Sequence, residues 1–485
     1  MTIGSGNTPR QLSIPGSLDL RDKTITAWII YLSLLPLNIT YFLGLPQVMP
    51  ADFILPVLLL LSLSFIRNRL SVVLHEDYPV LVYLLIYLTV ASAGAAGYGM
   101  DKSLLLAVTA QVMLVGTYFL FRVAVNERGK FLKIVLAWVA VSTAAALVGI
   151  AAVFLGYVGL KTPLALWYPN LGPGAWRLIG TTGQSSNFMY SYLHAGFFLS
   201  LGLLFSLKSI GPEIALARLS VNKIRFAVLV HLLAMLLTFS RGLLGLILGL
   251  IVLVQVNPGR AIRRVNLYRT ALWTAFALLF IYSAVFFTYT TDALFTSSQA
   301  AADSLSLKLN APQRKIYSYK NVPHLEEGTA YKRLTGGFTY LPSQHLYLLR
   351  VSWHFFTRHP WFGIGPGRYP DELEALRDSG AGLVPPHFLK LKPHSTFLGA
   401  LAEGGLVGFA GLAILWIFFL GGRSRLVIHE DPLGTVIYAA LAGYLLFGLN
   451  VDIMNFRWLW LVMALFAAGI AILKTSIPPD KKTPA

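Results

Sequence analysis

Four residues in this sequence pair reactive side-chain chemistry with apolar surroundings: Arg177, Arg241, Arg350 and His394. Arg241 lies in LTFSRGLLG, between two apolar runs that leave room only for a tight turn. A charge in such a place costs about 3 kcal/mol even on insertion scales, so it marks a functional site unless the side chain snorkels to polar surroundings. Arg177, in WRLIGTTGQSSNF, precedes a further apolar run within a Gly-, Ser- and Thr-rich stretch whose backbone N–H groups can face an anion. Beside Trp176 an ordinary interfacial arginine would look the same. Arg350 adjoins the stripe Leu346, Leu349, Trp353 and Phe356, so its stem can lie on apolar surface while its head faces a cavity. His394, in LKPHSTF, sits where a loop meets an apolar run, and histidine is the side chain whose unperturbed pKa suits proton transfer near neutral pH.

Other polar residues carry weaker signals. His324, His345, His354, His359 and His387 share one stretch with His394, but HExxH is missing and His354 with His359 would diverge on a helix, so neither a metal site nor a cofactor is expected. Glu403 lies nine residues beyond His394. On a regular helix it would face the opposite side roughly 13 Å deeper, which suits a polar contact between helices. Asp452 and Arg457 are expected to pair with each other. Trp167, Trp176, Trp353 and Trp361 suit an interfacial belt and could also stack on sugar rings in an outer cavity.

The elements that must position these residues follow from composition. The chain has 485 residues, 56% hydrophobic and 12% charged, with a mean hydropathy of +0.65. Soluble domains carry about 25% charge, which excludes a soluble multidomain enzyme. Apolar runs recur near 25–45, 51–66, 77–98, 103–121, 134–158, 187–207, 224–239, 242–256, 270–290, 395–420, 433–450 and 456–473. The expected fold is therefore an all-α polytopic membrane protein of about twelve transmembrane helices. Residues 1–23 are polar and the first run is long enough to span, so no cleavable signal peptide is expected.

The net charge of +18 could indicate nucleic acid, but its distribution points elsewhere. With the N-terminus in the cytoplasm, 22 Lys and Arg residues fall inside, against Lys102, Lys161, Arg177, Arg241 and Arg457 in the short outer connections. That bias supports cytoplasmic termini and explains most of the basic excess without nucleic acid. Two outer segments are long, 159–186 within spans 1–9 (residues 1–290), and 291–394 ahead of spans 10–12 (395–485). Long loops are usually functional. The 3.6-residue spacing in SQHLYLLRVSWHFFTRHPW predicts a helix over 343–358, ended by Pro360, and GIGPG reads as a tight turn after it. With no cysteine, disulfides and thiolate catalysis are excluded.

In order, RLIGTTGQSSN at 177–187, FSRG at 239–242, Arg350 followed by Trp353, HPWFGIGPGRY at 359–369 and PHSTFLGALAEGGLVG at 393–408 resemble the O-antigen ligase and polymerase superfamily. The resemblance is good over about 180–410, and each motif alone is unspecific. Where many relatives have a Pro-Asn pair, this chain has Ser186 and Asn187. The resemblance implies transfer of a glycan from undecaprenyl diphosphate at the periplasmic face of the bacterial inner membrane. It implies that Arg177, Arg241 and Arg350 hold the diphosphate and that His394 acts at the acceptor.

Chemistry is compatible. A diphosphate leaving group mainly needs its developing charge stabilised, which guanidinium groups do, and the acceptor hydroxyl needs a base. With no carboxylate pair and no acidic metal motif in the outer segments, a metal-independent, inverting transfer is the simplest mechanism. The acceptor divides the readings: lipid A core for a ligase, the growing polysaccharide for a polymerase, a protein hydroxyl for an oligosaccharyltransferase. Ligase and polymerase stand nearly level. A twelve-span transporter or lipid flippase would explain the span count but not an outer segment that carries the motifs, nor the lack of an internal repeat.

Overall fold

Runs rich in Leu, Val and Ala cannot leave backbone groups unpaired in an apolar setting, and they form helices here. The computed structural model describes residues 23–38, 49–168, 175–182, 185–207, 220–256, 333–334, 338–339, 344–378, 392–421 and 431–476. In chain order these give α1 (Lys23–Leu34), a short 3-10 turn (Pro50–Ile54), α2 (Leu55–Glu76), α3 (Tyr78–Tyr98), α4 (Lys102–Ala124) and α5 (Arg128–Tyr157). A hairpin of β1 (Ala165–Tyr168) and β2 (Ala175–Leu178) precedes α6 (Ser186–Ser206), α7 (Val221–Leu237) and α8 (Leu243–Val256). A two-residue pair, β3 (Arg333–Leu334) and β4 (Phe338–Thr339), precedes α9 (Gln344–Arg358), α10 (Tyr369–Asp378), α11 (Thr396–Leu420), α12 (Pro432–Phe447) and α13 (Arg457–Ser476).

Each expected apolar run overlaps a helix except 270–290, which lies outside the described residues, as do residues 39–45 of the first run and most of 291–343. Among the described residues, six helices are long and apolar enough to cross a membrane unaided: α3, α4, α5, α6, α11 and α13. Among the described residues the fold is helical with few strands, as an all-α membrane protein would be. The expected count of twelve also takes in the runs of α1, α2, α7, α8 and α12, which are not among the six, and the run 270–290 outside the described residues.

The bundle is built around α6, whose apolar window is 83% buried; it packs on α5, α7 and α12. Close approach is set by small residues: Gly245 of α8 lies against the carbonyl of Gly443 of α12, and a Cβ on Gly245 would come within 2.4 Å of that oxygen. Two buried histidines find partners across helices, His231 Nε2 in Ser142 Oγ at 2.8 Å and His194 Nε2 in the Ala440 carbonyl at 3.1 Å. Arg122 pairs with Glu76 at 2.7 Å and Asp77 at 3.2 Å, tying α4 to the α2–α3 turn. Arg457 does not pair with Asp452. It makes a two-pronged contact with Asp52 in the turn before α2, at 2.7 and 2.8 Å, while Asp452 accepts from Met454 N and Asn455 Nδ2. A planar guanidinium meets a carboxylate best through two parallel bonds, and the distant Asp52 offers that geometry.

The break in α11 decides how the segment after α9 is seated. Gly405 has φ +61, and the helix is interrupted there. The segment after α9 supplies the missing bonds: Ile364 N donates to Ala402 O at 3.0 Å and Gly365 N to Glu403 O at 3.0 Å. In return Leu406 N donates to Pro360 O at 2.8 Å and Val407 N to Trp361 O at 3.1 Å. Residues 360–365 are thus a backbone plug in an apolar helix, and these four bonds pair groups that the break would otherwise free. The plug's far side is clamped to the α3–α4 turn. Arg368 pairs with Asp101 at 2.5 Å, donates to the Gly99 carbonyl and lies 5.0 Å over the Tyr98 ring.

Helix α9 forms as its spacing predicts, but its buried stripe differs. Leu348, Val351, Ser352 and Phe355 are buried, whereas Trp353 is 53% exposed. With Ile364, Tyr369, Leu373, Leu376 and Ala402 of α11, the buried residues form a second, small core. Both faces of α9 are apolar, and the face contacting α10 and the plug is the one that became covered.

Candidate functional site

The first arginine motif is carried on the β1–β2 hairpin, in which Arg177 pairs opposite Leu166. Leu178 and Trp176 anchor it on α5, where Gly149 and Gly156 leave room for their side chains. Arg177 then reaches the C-terminal end of α7: its Nε donates to Thr238 O at 2.6 Å and a terminal nitrogen to Phe239 O at 3.4 Å. The last carbonyls of a helix lack intrahelical partners and carry its negative dipole end, so a guanidinium is well placed there.

Those carbonyls begin the turn that holds Arg241. Phe239 has φ +45, and Thr238 Oγ1 donates to Met235 O at 2.6 Å. The Ser240 hydroxyl donates to Asn187 Oδ1 at 2.7 Å and accepts from Gly242 N at 3.1 Å. Asn187, part of the Ser186–Asn187 departure, thereby joins the first motif to the second. Gly242 packs against the Tyr190 ring, where a Cβ would come within 2.2 Å. Arg241 itself is half-buried.

His394 stands just before α11. Ser395 caps that helix through Leu398 N at 3.3 Å, and Thr396 is fixed from both sides, by N to Gly448 O at 2.7 Å and by Oγ1 to Val451 O at 2.9 Å. Burial pushes the His394 pKa below its ordinary value, and the positive charge of Arg241 pushes it the same way. The imidazole and the Arg241 guanidinium are therefore electrostatic neighbours although 153 positions separate them.

Arg350 is exposed on α9, which packs on α11. With Leu349, Trp353, His354, Thr357 and Leu398 it lines an open cleft of about 480 Å³. Leu398 is one helical turn beyond His394, so the cleft opens beside the entrance of α11. The structure thus brings Arg177 to the turn that carries Arg241, Arg241 to His394, and Arg350 to the first turn of the helix that follows His394. Of the aromatics, Trp353 lines the cleft; Trp167 and Trp176 pair edge to face on the hairpin at 5.7 Å, and Trp361 stands 65% exposed on the plug.

A family model described as O-Antigen ligase matches residues 226–413. No curated protein matches the chain. The matched stretch runs from α7 into α11 and holds Arg241, Arg350, His394 and the plug, while Arg177 precedes it. Over these residues the chain is similar to that family.

Some neighbours escaped the sequence reading. Lys392, two residues before His394, acts electrostatically on both Asp452 and Glu403. Burial raises the Asp452 pKa; Lys392 and the Met454 and Asn455 donors oppose the rise. Glu403 accepts from the backbone N–H groups of Gly367 and Tyr369. It therefore ties α11 to the start of α10 and does not join two spans. Only LKPH hinted at this, as a cation beside the histidine.

Proposed function

We propose that the chain transfers a glycan from undecaprenyl diphosphate to an acceptor hydroxyl at the periplasmic face of the bacterial inner membrane. The transfer is metal-independent and inverting, of O-antigen ligase type with lipid A core as acceptor. What supports the reading is the pairing of a half-buried arginine with a pKa-lowered histidine, Arg241 with His394, inside the stretch matched by the O-antigen ligase family.

Arg241 and Arg350 hold the diphosphate and stabilise the charge that grows on the leaving oxygen. Arg177 acts chiefly through the turn that presents Arg241, since its guanidinium caps α7. His394 accepts the acceptor's proton; the hydroxyl oxygen attacks the anomeric carbon, the bond to the diphosphate breaks, and undecaprenyl diphosphate leaves. A lowered pKa suits this base, because it stays neutral at the pH of the reaction. Reconstitution with undecaprenyl-diphosphate glycan and three acceptors tests the reading. Sugar gained by lipid A core supports a ligase, gain by the growing polysaccharide makes it a polymerase, gain by a protein hydroxyl makes it an oligosaccharyltransferase, and gain by none of them removes the transferase reading.

A further inference from the structure

The cleft beside α11 is built mainly from one face of α9. Leu349, Arg350, Trp353, His354 and Thr357 follow one another along about two turns, and Leu398 of α11 forms the facing wall. Its volume of about 480 Å³ is in the range of small-molecule sites, roughly 300–1,000 Å³. Three features separate it from a bare phosphate site. Among the described residues that line it, one is a cation, Arg350, at one end. Its walls are an exposed indole and two leucines. Its remaining polar groups are neutral hydrogen-bonding ones: the Thr357 hydroxyl donates to His354 O at 2.9 Å and keeps lone pairs to accept with. The His354 ring lines the same wall with its Nε2 turned away from solvent, so it meets the cleft through the rest of the ring. Burial and Arg358 both lower the His354 pKa, which favours the neutral ring.

The geometry points to a saccharide subsite: Trp353 is a platform for the apolar face of a sugar ring, and His354 and Thr357 read its hydroxyls. This rests on the proposed glycan transfer and adds to it the residues that choose the sugar. A pyranose has one apolar face and a rim of groups that both donate and accept, which matches an indole flanked by a neutral imidazole and a hydroxyl. An isoprenoid chain would leave the Arg350 head and the Thr357 hydroxyl unmatched. Along α9, Arg350 comes first and Thr357 about 10 Å later, the order in which a diphosphate and its attached sugar would be met.

Saturation-transfer NMR on the purified full chain decides this, with methyl glycosides of glucose, galactose, N-acetylglucosamine and rhamnose as probes and inorganic pyrophosphate as the anionic control. The expected result is that at least one glycoside binds. Trp353→Ala and His354→Ala should weaken it roughly tenfold, as should the shape-preserving Thr357→Val, while Arg350→Ala changes it little. Thermal melting of each variant beside wild type identifies any that fail to fold, and Thr357→Val keeps the test informative in that case. The subsite is overturned if no glycoside binds, if binding survives all three substitutions, or if these substitutions abolish pyrophosphate binding alone. Wild-type transfer in the reconstituted assay with no glycoside binding would sink the subsite and leave the transferase standing; glycoside binding without transfer would do the reverse.

Discussion

A lysine at position 241 would keep the charge that lowers the His394 pKa and lose the planar fork that can hold two phosphate oxygens. The two contributions can therefore be separated. Arg241→Lys is expected to transfer nearly as slowly as Arg241→Ala, and full activity in the lysine variant would reduce the arginine to a point charge. The pH profile reads the other contribution. His394 is lowered from the ordinary value of about 6.5, so wild-type transfer should fall only below that pH, as the base becomes protonated. Removing the neighbouring charge raises the pKa, and the acid limb of Arg241→Gln should move to higher pH while that of Arg241→Lys stays in place. An unmoved limb in the glutamine variant would mean that the base is another group. Arg241 and His394 were legible in sequence because each interrupts or borders an apolar run, where a polar side chain is costly and so conspicuous. Lys392 and Asp452 were not, since they meet only when the loop before α11 folds against the loop after α12.

Between residues and the whole, the decisive element is α11 with its plug. A Cβ on Gly405 would come within 2.4 Å of the Trp361 backbone, at φ +61. Such a backbone conformation alone costs a non-glycine residue about 1–3 kcal/mol, before the clash is counted. Gly405→Ala should therefore loosen the plug, shift α9 and its Arg350, lower the melting temperature by several degrees and reduce transfer. Leu406→Ala, at a side chain 43% exposed, should leave both nearly unchanged. Equal melting and transfer in Gly405→Ala and wild type would show that the plug does not position the site. The 3.6-residue period gave α9 its place and length, because an amphipathic repeat is a local property. It did not tell which face would be covered, since Leu349 and Trp353 are as apolar as Leu348 and Phe355, and only the partners α10 and the plug distinguish them. The break in α11 was illegible for a similar reason: its bonds are backbone to backbone across some forty residues, and a pair of glycines in a long apolar run does not reveal them.

For the molecule as a whole, orientation follows from where positive charge is tolerated, and the chain's lack of cysteine makes it directly measurable. Lys161 lies just beyond one end of α5 and Glu127 just before the other, both exposed. An impermeant thiol reagent added to spheroplasts should label Lys161→Cys and spare Glu127→Cys; the opposite pattern would invert the topology and put His394 on the cytoplasmic side. The central claim is a division of labour within one outer site, with arginines for the diphosphate and a histidine for the acceptor proton. Donor affinity and single-turnover transfer rate, measured together on purified His394→Ala protein, test it most directly. The account predicts donor affinity close to wild type and a transfer rate lower by about 10²–10⁴-fold. Donor binding lost as severely as in Arg241→Ala would contradict it, placing His394 in the phosphate site and the base elsewhere.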